Sequence, residues 1–353
     1  MEQRDVSGLK IAMVYIGTVV GAGFATGQEV LQFFVAFGFS GVWGLLLSTA
    51  LFIGYGILIM QIGMKTAATG HREILPQIGG SLFQTAMDVL IMVSLFAALT
   101  AMLAGTGAMF IQQFRLPPAL GNALMALATV LTVLGGLRGV IRAISAVVPF
   151  LLVSVVVISV FALIEGLPDF SAVPAAPQRG LMGNWLWAAT LYGSYNILMS
   201  AAVLAPLGAE ASNRRAIFRG GALGGIGLGV ASLMIFLAIG ANLEVATLEV
   251  PILYLAAQIS PLVGALFSVV LVAEIYTTAV GALYGFSARL TGLVPRGKAG
   301  IMIGAATLAF FASLFGFSNL VRYLYPLQGY GGLLFLVALL FAKKHNGGKL
   351  KSK

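Results

Sequence analysis

Stretches of 20 or more residues with almost no charge recur from one end of this 353-residue chain to the other. No other feature constrains its folding as strongly. A hydrocarbon core of ~30 Å takes about 20 apolar residues per helix. By that measure ten spans are expected, near 10–37, 40–64, 84–112, 119–136, 140–164, 182–208, 216–240, 261–288, 299–316 and 319–342. Only 9% of the residues are charged and 59% are apolar. Soluble domains carry roughly 25% charge, so too little polar surface exists here to solvate a globule. The chain reads as an all-α integral membrane protein, with residues 1–353 as one domain undivided by any low-complexity linker.

The same composition removes whole classes of function. There is no cysteine, which excludes disulfide frameworks, thiol catalysis and zinc–thiolate sites. His71 and His345 both lie in polar segments, leaving no histidine for a metal site or a serine dyad inside the membrane. The net charge of +9 is dispersed between apolar runs, as topology-setting charge is, so no nucleic-acid partner is expected. If the amino terminus is cytoplasmic, 17 of the 20 lysines and arginines fall on the inner side. Arg115, Arg179 and Arg322 are the exceptions. The expectation is a multi-pass protein of the cell inner (plasma) membrane with both termini cytoplasmic. The first run is too long for a signal-peptide core and reads as a retained span. Residues 65–83 are long enough for a short interfacial helix, and 242–260 contain a proline-started amphipathic segment on the outer side.

Span one carries Gly17, Gly21, Gly23 and Gly27 within eleven residues. Each glycine weakens a helix by roughly 1 kcal/mol. Close helix packing through a GxxxG pair, Gly17 and Gly21, is the competing reading. The triplet Gly21-Ala22-Gly23 has neither the spacing nor the following lysine of a nucleotide loop. Span six has a comparable run at Tyr192-Gly193-Ser194-Tyr195-Asn196, also about ten residues in. Backbone freed by a break must find partners in protein or water, so a break implies a polar cavity. Breaks in two spans five apart point to halves inserted with opposite orientation, the pattern of inverted-repeat transporters. Repeat one covers about 10–164 and repeat two about 182–342.

Gly21-Ala22-Gly23 resembles the broken-helix motif of the amino acid–polyamine–organocation superfamily. The segment from Ala209 to Gly220 is similar to its cytoplasmic acidic-asparagine-basic signature, without the usual prolines. The stretch from Ile16 to Glu29 more closely resembles the YkvI-like amino acid permeases. The resemblance implies the LeuT-type fold, ten transmembrane helices as a 5+5 inverted repeat with broken helices one and six, and secondary transport. It also maps a sodium site onto the carbonyls of Gly17, Val20 and Glu274 and the hydroxyls of Thr277 and Thr278. No cofactor is expected beyond sodium or a proton as coupling ion.

Three acids sit at membrane depth: Glu29, Asp88 and Glu274. A charge at the bilayer centre costs about 2.5–3.5 kcal/mol, which makes each a functional suspect. Asp88 lies near the inner end of its span, where solvation is the plain alternative. Glu274, Thr277, Thr278, Gly281 and Gly285 share one helical face, although threonines often bond back to their own helix. A substrate carboxylate is expected on the amides near Gly21, Ala22, Gly23 and Phe24, with Tyr192, Gly193, Ser194, Tyr195 and Asn196 opposite. Glu29 and Arg322 are expected to pair as an outer gate. The six glycines of span seven are expected to serve packing alone. The function these features support is a cation-coupled symporter of a small zwitterion, an amino acid, working by alternating access. A quaternary amine is the substrate alternative. A channel or an intramembrane enzyme is the alternative of different class.

Overall fold

The computed structural model describes residues 6–71, 73–135, 140–170, 180–293 and 297–348. Arg4, Arg72, Arg138, Arg179, Arg296 and the last three lysines lie outside the described residues. The apolar runs form helices because a bilayer accepts backbone only with its hydrogen bonds satisfied internally. In chain order these are α1 (Gly8–Val19), α2 (Ala22–Ala25), α3 (Gln28–Phe33), α4 (Ser40–Thr66), α5 (Ser81–Phe114), α6 (Pro118–Gly135) and α7 (Val140–Glu165). There follow α8 (Trp185–Glu210), α9 (Arg214–Ala241), α10 (Pro251–Ile259), α11 (Pro261–Leu293), α12 (Lys298–Ser313) and α13 (Phe317–Gly348). Among the described residues, seven helices are long and apolar enough to cross a membrane: α4, α5, α6, α8, α9, α11 and α13. The other three expected spans fall on shorter apolar helices, Gly8–Val19, Pro149–Glu165 and Ala299–Ser313.

Two ends of the bundle can be told apart by what bonds there. At the near end, beside the amino terminus, Val6 pairs with Ala211 in an isolated parallel bridge. Asn213, the asparagine of the segment after span six, caps α9 by accepting from the Ala216 amide at 2.8 Å. At the far end, Asp169 N–H donates to Gly240 O at 3.0 Å. The segment 242–260 folds there as a 3-10 turn, Leu243–Thr247, followed by α10 with Pro251 at its first position. Residues 65–83 do not form the expected interfacial helix. Between α4 and α5 the described residues hold a 3-10 turn, Leu75–Gln77, since Gly70, Pro76, Gly79 and Gly80 interrupt any longer ladder.

The glycines of α9 do what packing predicts. Gly224 leaves room for the ring of Tyr15 on α1, and Gly56 on α4 makes room for the same ring. Gly221 and Gly225 admit Ile57 and Ile53 of α4. The fully buried Tyr15 places its hydroxyl 2.7 Å from Phe52 O, so the phenol is satisfied inside this contact. Gly63 of α4 and Gly208 of α8 let two backbones touch, the first against Ala205 and the second against Met60. Small residues at helix crossings supply close van der Waals packing where lipid offers no hydrophobic drive.

Candidate functional site

Span one is interrupted twice. α1 ends at Val19, and Val20 and Gly21 are extended, with φ/ψ of −68°/117° and −131°/−173°. A side chain on Gly21 would meet nothing within 4 Å, so this glycine is not a packing residue. The break therefore wins over the GxxxG reading, and it lies at Val20–Gly21, at the start of the expected triplet. A second interruption, which the sequence reading did not anticipate, follows at Thr26–Gly27. Gly27 has φ +81°, a left-handed conformation that other residues adopt at a cost. The Thr26 hydroxyl accepts from the Gln28 amide at 3.3 Å and lies 3.0 Å from Gly23 O. The Thr26 carbonyl, lost to the helix, accepts from the Ile252 amide of α10 at 3.1 Å.

Span six is a correction to the expectation. α8 runs unbroken from Trp185 to Glu210 through Gly193 and Ser194. The polar groups that argued for a break are satisfied without one. The Ser194 hydroxyl lies 2.7 Å from Gly329 O on α13 and 3.0 Å from Leu191 O in its own helix. Asn196 donates back to Tyr192 O at 3.1 Å. Gly193 faces Leu51, whose Cδ1 would lie 2.8 Å from an added Cβ. Gly193 thus packs α8 against α4, Ser194 ties it to α13, and Asn196 bonds within its own helix.

Tyr195, by contrast, does meet span one. Its hydroxyl donates to Glu29 Oε2 at 2.5 Å. The Glu29 carboxylate folds back against Gly23, where an added Cβ would overlap Oε1. The acid sits at the break itself, where the substrate carboxylate was expected. Aromatic rings surround it. Phe33 lies 5.9 Å from Tyr195 and 5.3 Å from Tyr192, and Tyr325 of α13 lies 5.2 Å from Tyr195. Tyr325 and Phe33 were not singled out from the sequence, where each looked like one more apolar-face aromatic. Ala22 and Phe24 are buried beside them.

Arg322 forms no ion pair with Glu29 among the described residues. Its Nε is buried without a partner. It occupies the α13 face between Ser318, which bonds to Gln28 of α3, and Tyr325. Residues 248–252 close over the far side of α3: Leu248 O accepts from Gln28 at 3.4 Å. Glu249 Oε1 accepts from the Ser318 amide at 3.2 Å, replacing a cap at the start of α13. Burial pushes the Glu249 carboxyl above its ordinary range, partly offset by that amide.

The residues mapped to an ion site divide. With Gly21 extended, the last carbonyls of α1, including Gly17 and Val20, leave the helix ladder, as a helix end requires. On α11, the buried Thr277 hydroxyl donates to Glu274 O at 2.9 Å, the back-bonding alternative. Thr278 is half-buried. The Glu274 side chain is 3% exposed, and its Oε2 has no partner. α2 packs directly against α11, α5 and α7, so the broken segment and the helix carrying Glu274 are neighbours. Asp88 is not merely solvated. It bridges to Arg289 of α11 at 3.2 Å and lies 3.5 Å from His71, tying the near end of α5 to α11 and to the 65–83 segment.

Exposure differs between the two ends. From Ala22 to Phe37 every residue is buried. On the near side, one stripe of α1 has Lys10 and Val14 exposed and Gly17, Thr18 and Gly21 half-buried, and one stripe of α11 has Gly281 and Ala288 exposed and Thr278 and Gly285 half-buried.

No family model matches the chain. It is 29% identical over 343 residues to the uncharacterized membrane protein YkvI of Bacillus subtilis (strain 168), covering 97% of this chain and 98% of that protein. It superposes on MhsT in complex with L-phenylalanine with a TM-score of 0.64, at 15% identity, over 94% of this chain and 87% of that one. Against the inward-facing conformation of Mhp1 the TM-score is 0.58, at 17% identity, over 94% and 76%. Against Mhp1 in a closed conformation it is 0.51. The chain is an all-helical membrane protein with the LeuT fold.

Proposed function

We propose that this protein is a cation-coupled secondary transporter of a small zwitterionic solute, an amino acid, moving it by alternating access through the break in span one. The observation that carries the reading is that break. It leaves unwound backbone at Val20–Gly21 in the middle of an apolar bundle, beside open space at Gly21, where only a polar cavity justifies its cost. In this reading the ten apolar segments are ten spans in two inverted repeats of five, of which only the first span is broken. Both termini are cytoplasmic, and the partly exposed stripes on α1 and α11 are the walls of an inward opening. The far end, closed by α10 and its preceding turn, is then the extracellular side.

Sodium is the proposed coupling ion. The carbonyls of Gly17 and Val20 point from the negative end of α1, and Glu274 O with the hydroxyls of Thr277 and Thr278 would complete an oxygen shell suited to a small hard cation. The test is accumulation of amino acids in proteoliposomes under an inward sodium gradient. Thr278→Val should abolish the sodium dependence while leaving the fold, and sodium should raise the melting temperature of the wild type. Equal uptake in sodium and choline buffers would overturn sodium coupling and move the coupling to a proton on Glu274.

A further inference from the structure

We infer that Glu29 anchors a cationic nitrogen of the solute, so that the site selects for an amine and treats the solute carboxylate as optional. The inference rests on the transporter reading and names the substrate class of the same site.

Glu29 is 5% exposed. Its Oε2 is held by the Tyr195 hydroxyl. Its Oε1 receives no hydrogen bond among the described residues, yet it is not one of the fully shielded polar atoms that lack a partner. One oxygen is therefore fixed by Tyr195, and the other, against Gly23, is left to accept a hydrogen bond from a solute. A carboxyl in such a place is stabilised either by taking up a proton or by pairing with an opposite charge, and low dielectric strengthens the pairing. Arg322, the expected gate partner, forms no ion pair with it, and no other ion pair to Glu29 is formed among the described residues.

The surroundings favour an organic cation. Phe33, Tyr192, Tyr195 and Tyr325 present rings around the acid, and aromatic faces attract ammonium groups most when water is excluded. The geometry also argues against a carboxylate at the position the sequence suggested. Glu29 lies against Gly23, so a solute carboxylate on the neighbouring amides would meet a like charge. The carboxylate of a zwitterion is better placed toward the open side at Gly21, away from Glu29.

The test is binding to the purified full-length protein, read as a shift in unfolding temperature. The probes are the proteinogenic L-amino acids, their N-acetyl derivatives, phenethylamine and choline. At least one amine-bearing probe should stabilise the wild type, and its N-acetyl counterpart should not. Glu29→Gln should weaken amine binding about 10- to 100-fold with the unliganded melting point within a few degrees of wild type. Tyr195→Phe keeps the charge and should weaken binding by less. Equal binding of amine and N-acetyl probes, unchanged binding by Glu29→Gln, or silence of every amine probe would overturn the inference. The acetylation comparison uses the wild type alone and survives a variant that fails to fold. Amine binding without gradient-driven uptake would sink the transporter reading and leave this one standing. Uptake of a solute indifferent to acetylation would do the reverse.

Discussion

Glu29 concentrates the chemistry of this molecule at the scale of a single residue. From sequence it was an acid at membrane depth, and depth alone cannot say which way a side chain turns. The structure turns it inward onto Gly23 and Tyr195, away from the gate partner suggested by Arg322. Two outcomes follow. Gly23→Ala places a methyl where the carboxylate rests, so it should reduce uptake at least tenfold while changing stability little, measured by initial uptake rates beside thermal unfolding. Exchanging the charges, Glu29→Arg with Arg322→Glu, should fail to restore the uptake lost in either single variant. Recovery in the double variant would reinstate the pair as a gate.

Among the elements, span one was legible and span six was not, for a reason visible in the side chains. Both runs contain glycine beside small polar residues. In α8 the hydroxyl and amide close locally, on Leu191 and Tyr192, and Gly329 of α13 supplies the remaining acceptor. That acceptor is 135 residues away in sequence, so no local pattern reports it. The second interruption at Gly27 was hidden similarly, since its orphan carbonyl is satisfied by Ile252 of α10. Gly27→Ala should destabilise the protein by about 2–4 kcal/mol, combining left-handed strain with pressure on Ile252, whose Cγ1 would lie 2.9 Å from the new Cβ. The test is the shift in its melting temperature. Glu249 gives the α10 segment a pH dependence. Its raised pKa means that the docked state binds the proton more tightly than an open state with Glu249 in water. Docking is then favoured on the acid side and lost progressively as pH rises from the ordinary carboxylate range through the raised value. Glu249→Gln should flatten that dependence in hydrogen exchange of residues 248–252.

For the whole molecule, the class was legible because a bilayer imposes length and hydropathy on every crossing, and among the described residues seven of the ten expected spans are helices long and apolar enough to cross. The packing roles of the α9 glycines were legible too. The inward opening proposed here was not, because it rests on exposure at residues whose types are unremarkable, such as Val14 and Gly281. The absence of cysteine in the chain makes this state directly measurable. In inside-out vesicles Thr18→Cys should react with a membrane-impermeant maleimide and Val30→Cys should not, and saturating substrate should slow the Thr18→Cys reaction.

The measurement that bears most directly on the central claim is concentrative uptake by the wild type and Gly23→Leu, reconstituted side by side with an inward sodium gradient and a mixture of labelled amino acids. The account predicts saturable accumulation above equilibrium in the wild type, collapsing when the gradient is dissipated, and none in Gly23→Leu despite matching monodispersity. Normal accumulation by Gly23→Leu would place the solute path away from the break in span one. A non-saturating flux that never exceeds equilibrium would make the protein a channel.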